Sequence, residues 1–444
     1  MVAESTVPEC ARENPPDVVV VGAGVVGAVT ALLLANAGFQ VAVVERRAPA
    51  PVVGRLGADP RTLAISPGSQ RLLESVGAWP GQAVGAWNAG SIAALQAQAP
   101  QAYLHMCVWD GDGGGEIRFS VDDLTPMPPA LGHIAEQSAL TSSLWGALHA
   151  HPCVQVLAGS EVTALLQTSD NARPNRLLLA DGRSVDAAIV IAADGAASPL
   201  RGFAGGSVRQ QDTGQIAIAT VVAHSHPHEA TAWQVFRATG PLAMLPLGDA
   251  FADGAEWSAP GAVPIHRSAV VWSCDADYGD ELLRFDDATF IAALASAFGD
   301  RLGTFLQVDA RARIALTQQQ AVSYQPRPGV LLVGDAAHVI HPLAGQGVNL
   351  GLRDARLLGE VLGRVGSVPG ALTNPHVLAA YELRARAVNS MALGFMAGIQ
   401  RLFASDHPLL RLARSRGMSG LGGIAVLRRQ LAREAMGQGL LGSA

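Results

Sequence analysis

Four runs along the chain are apolar without alternation: residues 18–21, 41–44, 188–193 and 330–333. An unbroken β-branched run suits a strand covered on both faces, so these four are expected side by side in one parallel sheet. The first two bracket an Ala- and Leu-rich stretch, and no charge occurs from Val18 to Val44. That length would satisfy a hydropathy window for a membrane span. Strand-like flanks around a helical middle, with glycines where a turn should lie, predict a buried β-α-β unit instead. Residues 103–119 and 215–271 alternate in short stretches broken by Gly, Pro and Asp, the pattern of an antiparallel sheet. After Asn349 the pattern turns helical, and residues 375–437 carry Arg and Leu at helical spacing with no strand signal.

Composition narrows the chemistry. With 49% hydrophobic and 15% charged residues over 444 positions, the chain can bury large cores and is not disordered. All 31 basic residues are Arg, which excludes a Schiff-base lysine, a phosphate-loop lysine and a pyridoxal anchor. The net charge of -6, with no clustered basic face, predicts no nucleic-acid partner. Cys10, Cys107, Cys153 and Cys274 are scattered without a C-x-x-C pair, so neither a metal site nor a disulfide framework is expected, and a reducing cytoplasm fits. Residues 1–16 hold Glu4, Glu9, Glu13, Pro8, Pro15 and Pro16; they lack the basic start and apolar core of a signal peptide and read as a flexible tail.

The strongest motif follows the first strand. Gly22, Gly24 and Gly27 make a G-x-G-x-x-G turn that opens a helix, and Glu45 ends the next strand. Gly22 permits the tight turn, Gly24 lets backbone approach a pyrophosphate, and Gly27 lets helix and strand pack closely. The helix start offers N–H groups and partial positive charge to phosphates. Glu45 can accept both hydroxyls of an adenosine ribose, and it would repel a 2′-phosphate.

Far downstream, the strand at 330–333 runs into Gly334, Asp335 and His338, followed by His341, Pro342, Gly345, Gly347 and Asn349. Gly345 and Gly347 would let backbone N–H groups approach a flat ring, and a helix starting near 347–349 would point its positive end there. Here the chain resembles the group A flavoprotein aromatic hydroxylases. The resemblance implies that Asp335 bonds the ribityl chain of FAD and that the loop after Pro342 passes beside the flavin ring. Residues 189–201 resemble the family's D-G segment, with Ala192 where glycine is usual. Asp194 would cap the following turn, and Arg201 would pair with nearby acids or phosphates. Arg61 matches an arginine near the flavin and adenosine in the family, and Gln137 opens a helix at the place of a ribityl-contacting polar residue.

Within that group the resemblance, carried also by residues 106–110, 131–134 and 240–247, is to the ubiquinone-biosynthesis hydroxylases. It spans residues 17–437. It implies ring hydroxylation of a polyprenylated phenol with O2 through a flavin C4a-hydroperoxide, and NAD(P)H as an external reductant, since the chain has one dinucleotide fingerprint. No acid or base can be assigned from sequence; His338 and His341 are weak candidates. Three alternatives stand beside this one. A halogenase is excluded by the missing lysine. An oxidase or hydroxylase of another small aromatic and a non-catalytic prenyl-lipid carrier stay open.

The expected architecture is α/β, mixed with α+β. A Rossmann-like FAD-binding domain would comprise residues 17–85, 131–205 and 321–390. An inserted antiparallel-sheet substrate domain would comprise 86–130 and 206–320, followed by C-terminal helices at 391–444. Residues 402–436, where Phe403, Leu409, Leu410, Leu412 and Leu427 alternate with arginines, suit an interfacial helix. The expected location is therefore cytoplasmic and peripheral to the membrane, with other ubiquinone-biosynthesis proteins as partners. A helical cap packed on the body is the equal alternative.

Overall fold

The computed structural model describes residues 15–81, 99–111, 114–170, 172–251, 264–340, 347–366, 370–404, 429 and 436. The four apolar runs lie in one parallel sheet, joined by a fifth strand, Val154–Ala158, at its edge. In chain order the strands are Val18–Val21, Val41–Glu45, Val154–Ala158, Ile189–Ala192 and Val330–Leu332, and in space they run third, second, first, fourth, fifth. That order reverses between Val18–Val21 and Ile189–Ala192. In a doubly wound sheet the reversal opens a crevice beyond the carboxyl ends of the strands, where ligands bind. Val154–Ala158 was not singled out in the sequence because Gln155 interrupts its short apolar run.

The stretch that resembled a membrane span is the β-α-β unit. Its helix, Val25–Asn36, buries Ala28, Val29, Ala31, Leu32, Leu34 and Ala35, and Ala and Leu are strong helix formers. It ends at Gly38, whose φ of 92° lets Phe39 N–H reach the Leu34 carbonyl at 3.1 Å, an arrangement open to glycine without strain. No helix among the described residues is long and apolar enough to cross a membrane.

The second region is a nine-stranded sheet built mainly from Val208–His224, Thr231–Arg237, Gly240–Phe251, Pro264–Asp275 and Ala312–Ala321. Alternation sorts its faces. Ile216, Ile218, Met244, Val270 and Trp272 pack under the helices Ala276–Arg284 and Asp287–Phe298. Val221, Leu247 and Ala269 face the other way, onto Ala58 and Ile134. Ile134 belongs to a small sheet of Thr62–Ile65, Gln101–Tyr103 and Gly132–Glu136. The large sheet is antiparallel as expected, with one correction: Thr231–Arg237 runs parallel to His105–Asp110. Those strands come from separate excursions of the chain, so no hairpin imposes opposite directions.

One further expectation changes. Cys153 is disulfide-bonded, with its partner outside the described residues, whereas Cys107 and Cys274 are free and buried; spacing along the chain says nothing of approach in space. The helix Pro375–Ala404 ends where the described C-terminal region does, apart from two residues. Met436 is buried against Val121, Leu124 and Leu131, and Arg429 Nε donates to the Asp123 carbonyl at 2.9 Å. Apart from 402–404 and these two residues, the stretch 402–436 expected as an interfacial helix or a helical cap lies outside the described residues.

Candidate functional site

Three strand ends meet at the reversal. Gly22 has φ 100°, and a Cβ there would run into the Ala193 carbonyl; a Cβ on Gly27 would run into the Gly22 carbonyl. These two glycines are required by packing. Around Gly24 a Cβ would meet nothing within 4 Å. Gly24 is also the N-cap of Val25–Asn36, with no side-chain cap and no acid in the first turn. The start of this helix is therefore open and unneutralised, which fits a pyrophosphate. Glu45 folds back: Oε2 accepts from Ala23 N–H at 2.7 Å and Oε1 from Arg47 N–H at 3.0 Å. Trp145 Nε1 donates to the Ala23 carbonyl at 3.1 Å, fixing the turn from the other side.

The turn after Val330–Leu332 lies against the same helix. Gly334 has φ 56°, and a Cβ on it or on Gly351 would press on Val26. Its N–H donates to Asp354 Oδ2 at 3.1 Å, and His338 Nε2 lies 2.6 Å from the same oxygen. Asp354 and His338 are 2% and 1% exposed. Burial opposes the His338 charge, but the Asp354 carboxylate outweighs it and raises the imidazole pKa. His338 was a weak candidate for catalysis; in the structure its Nε2 is engaged by Asp354. Asn389 Nδ2 donates to Asp354 Oδ1 at 3.0 Å and to the Tyr324 hydroxyl at 3.3 Å, and Tyr324 stacks on His338.

Asp335 points the other way. Its side chain reaches solvent, yet enough protein mass flanks it that burial raises its pKa, with His338 opposing. It stands at the carboxyl end of Val330–Leu332, on the edge where the parallel strands end. Asp194, at the end of the neighbouring strand, accepts from Ser198 Oγ at 2.5 Å and from Leu200 N–H at 3.1 Å; burial raises its pKa against those two bonds. It caps its turn as expected. Arg201 departs from expectation: it meets carbonyl oxygens, of Ala336 at 2.8 Å and Ala196 at 2.9 Å, in place of acids or phosphates. Buried at 8% exposure, its fork needs fixed acceptors on several sides, and turn carbonyls supply them.

The remaining predicted residues gather at the small sheet. Gln137 opens the helix Gln137–Ala150, and its N–H donates to the Arg61 carbonyl at 3.0 Å, which places these two together. The Arg61 side chain is exposed. Gly347 starts the helix Gly347–Gly363, on whose first turn Asn349 accepts from Ser66 N–H at 3.0 Å and donates to the Ala64 carbonyl at 2.8 Å. Asn349 thus docks the helix on the strand Thr62–Ile65. His341, Pro342 and Gly345 lie outside the described residues. Asp354, Asn389, Tyr324 and Ser198 were missed. Asp354 carried a signal: it interrupts the buried stripe Gly351, Leu352, Ala355, Leu358, Leu362 of its helix, and an acid in a core stripe marks a buried partner.

Fold and site together define a dinucleotide-binding α/β protein with a second acidic turn poised over its crevice. A family model described as an FAD binding domain matches residues 16–394, and the chain belongs to that family. It is 34% identical over 425 residues to the 3-demethoxyubiquinol 3-hydroxylase of Escherichia coli, covering 96% of this chain and 99% of that protein. It is 34% identical over 429 residues to the ubiquinone hydroxylase UbiL of Rhodospirillum rubrum, covering 96% and 90%. Among solved structures, the p-nitrophenol 4-monooxygenase of Pseudomonas putida superposes with a TM-score of 0.71 at 21% identity, over 96% of this chain and 99% of that one; that likeness is one of fold.

Proposed function

We propose that the protein is an FAD-dependent aromatic monooxygenase that hydroxylates the ring of a polyprenylated phenol in ubiquinone biosynthesis, with O2 and an external NAD(P)H as co-substrates. The carrying observation is that three strand ends lie on one edge of the parallel sheet: an open helix start at Gly24, Glu45 bonded to the same turn, and the exposed Asp335. Full-length likeness to two ubiquinone hydroxylases supports the substrate class.

Bound FAD supplies the two-electron chemistry that activates O2. The residues of the chain do the rest. The N–H groups at the start of Val25–Asn36 hold the pyrophosphate, Glu45 the adenosine ribose, and Asp335 the ribityl hydroxyls, with Asp194, Arg61, Gln137, Gly347 and Asn349 shaping the walls. Pro342, Gly345 and His341 belong to the connection that leads into Gly347. Val221, Leu247 and Ala269 pack the large sheet onto the small sheet through Ala58 and Ile134 and so join the two parts. Residues 17–85, 131–205 and 321–390 form the cofactor-binding part in this reading, and 86–130 with 206–320 the substrate part. A polyprenyl tail is too apolar to travel free, so the substrate is collected at a membrane surface or handed over by another protein of the pathway.

Supplying reductant, 18O2 and a prenylated phenol tests the reading. One labelled oxygen in a new ring hydroxyl, with reductant consumption that depends on the phenol, is expected. Consumption independent of the phenol, with no hydroxylated product, contradicts it.

A further inference from the structure

Gln319 lies outside every motif above and is buried at 6% exposure. It sits near the end of Ala312–Ala321, a strand of the large sheet. Its Nε2 donates to two carbonyls, Ala196 at 2.8 Å and Asp335 at 3.2 Å. Those carbonyls belong to the turns that follow two neighbouring strands of the other, parallel sheet. Arg201 spans the same pair of turns, sharing the Ala196 carbonyl and reaching that of Ala336. One amide and one guanidinium therefore cross-brace the turns that carry Asp194 and Asp335. Only the amide comes from the large sheet.

The strand that holds Gln319 is fixed on both sides. Along one edge it pairs with Val208–His224, the strand that carries Val221; along the other, Gln319 and Gln320 stand opposite Val339 and His338. The large sheet thus meets this turn through backbone, with Ala321 N–H on the Ala337 carbonyl at 2.7 Å, and through the Gln319 amide, which bonds the carbonyl of Asp335 itself. We propose that Gln319 is a positioning residue that couples the large sheet to the FAD site, holding the peptides beside Asp194 and Asp335 so that both carboxylates keep their places around the nucleotide. The inference rests on reading those turns as FAD-binding segments. The turns have independent backbone support, since Ala193 N–H donates to the Val21 carbonyl and Val333 N–H to the Ala192 carbonyl. Loss of the amide therefore acts on the site more than on the fold.

Gln319→Met keeps the side-chain length and removes both donors; Gln319→Asn keeps the amide but withdraws it. Gln307→Met is the control, because Gln307 is exposed on Phe305–Val308, another strand of the large sheet. FAD titration of each apoprotein by flavin fluorescence, with unfolding temperatures taken with and without FAD, separates the roles. Gln319→Met is expected to weaken FAD binding about tenfold, the scale of two neutral hydrogen bonds, and to shrink the FAD-dependent rise in Tm. Its apoprotein Tm is expected to stay close to wild type. Gln319→Asn should show the same loss in smaller measure, and Gln307→Met should bind as wild type does. Normal wild-type binding matched by both Gln319 variants overturns the inference alone, as does an apoprotein Tm that falls as far as the holoprotein Tm. A wild-type apoprotein that takes up no FAD overturns the flavoprotein reading and the inference with it.

Discussion

The two turns that frame the crevice are built by different means. The turn from Gly22 to Gly27 is held by close backbone approach: its first and third glycines touch carbonyls that no Cβ could share space with, and the middle one opens outward. The turn from Gly334 to His338 is held by buried polar side chains, Asp354 on its N–H, Arg201 and Gln319 on its carbonyls. The first is specified within six consecutive residues. The second is specified by residues at 201, 319 and 354, far apart along the chain. Substitutions should accordingly act by steric overlap at the first turn and by unpaired charge or lost hydrogen bonds at the second.

The largest effect should come from the steric side. Gly22→Ala combines strain at positive φ with overlap on a carbonyl locked into the sheet, and should cost about 4–6 kcal/mol in urea unfolding, the upper end of both terms together. Asp354→Ala, the matching break at the polar turn, leaves His338 buried without its carboxylate and should cost about 3–5 kcal/mol.

The same pair sharpens the contrast through pH. Because the folded-state pKa of His338 is raised, its contribution is complete below the unfolded imidazole value of about 6.5 and is lost as pH rises through the folded value. Urea midpoints measured across that range should fall with rising pH in wild type, and that component should vanish in Asp354→Asn. No turn built of glycines can show such a slope. Glu45→Ala should next weaken FAD binding by about 1.5–3 kcal/mol, the scale of a charged hydrogen-bonding group, with the fold retained. Gly24→Ala, at the open position, should leave unfolding unchanged and weaken FAD binding by about 1 kcal/mol, since a methyl group stands where the pyrophosphate approaches. A large stability loss in Gly24→Ala would erase the distinction between outward and inward glycines.

This contrast also explains what the sequence disclosed. The parallel sheet and its first turn were legible because both depend on local pattern: unbroken apolar runs, glycine spacing and an acid at the next strand end. The large sheet was legible as alternation, but its register and its one parallel pair depend on partners distant in the chain. At the second turn the motif residues Gly334 and Asp335 were visible, whereas their supports were not. Gln319 sits between Gln318 and Gln320, and nothing in three consecutive amides says which one turns inward. Arg201 was visible, but its acceptors, being carbonyls, leave no trace in a sequence.

One titration tests the central claim, that the carboxyl ends of Val18–Val21, Val41–Glu45 and Val330–Leu332 form a single FAD site. Apoproteins of wild type, Gly24→Ala, Glu45→Ala and Asp335→Ala, each verified as folded by circular dichroism, are titrated with FAD. The account predicts one FAD per chain in wild type and weaker binding in all three variants, although their residues lie on separate strand ends. Wild-type affinity in Asp335→Ala, alongside loss in Gly24→Ala and Glu45→Ala, would contradict it.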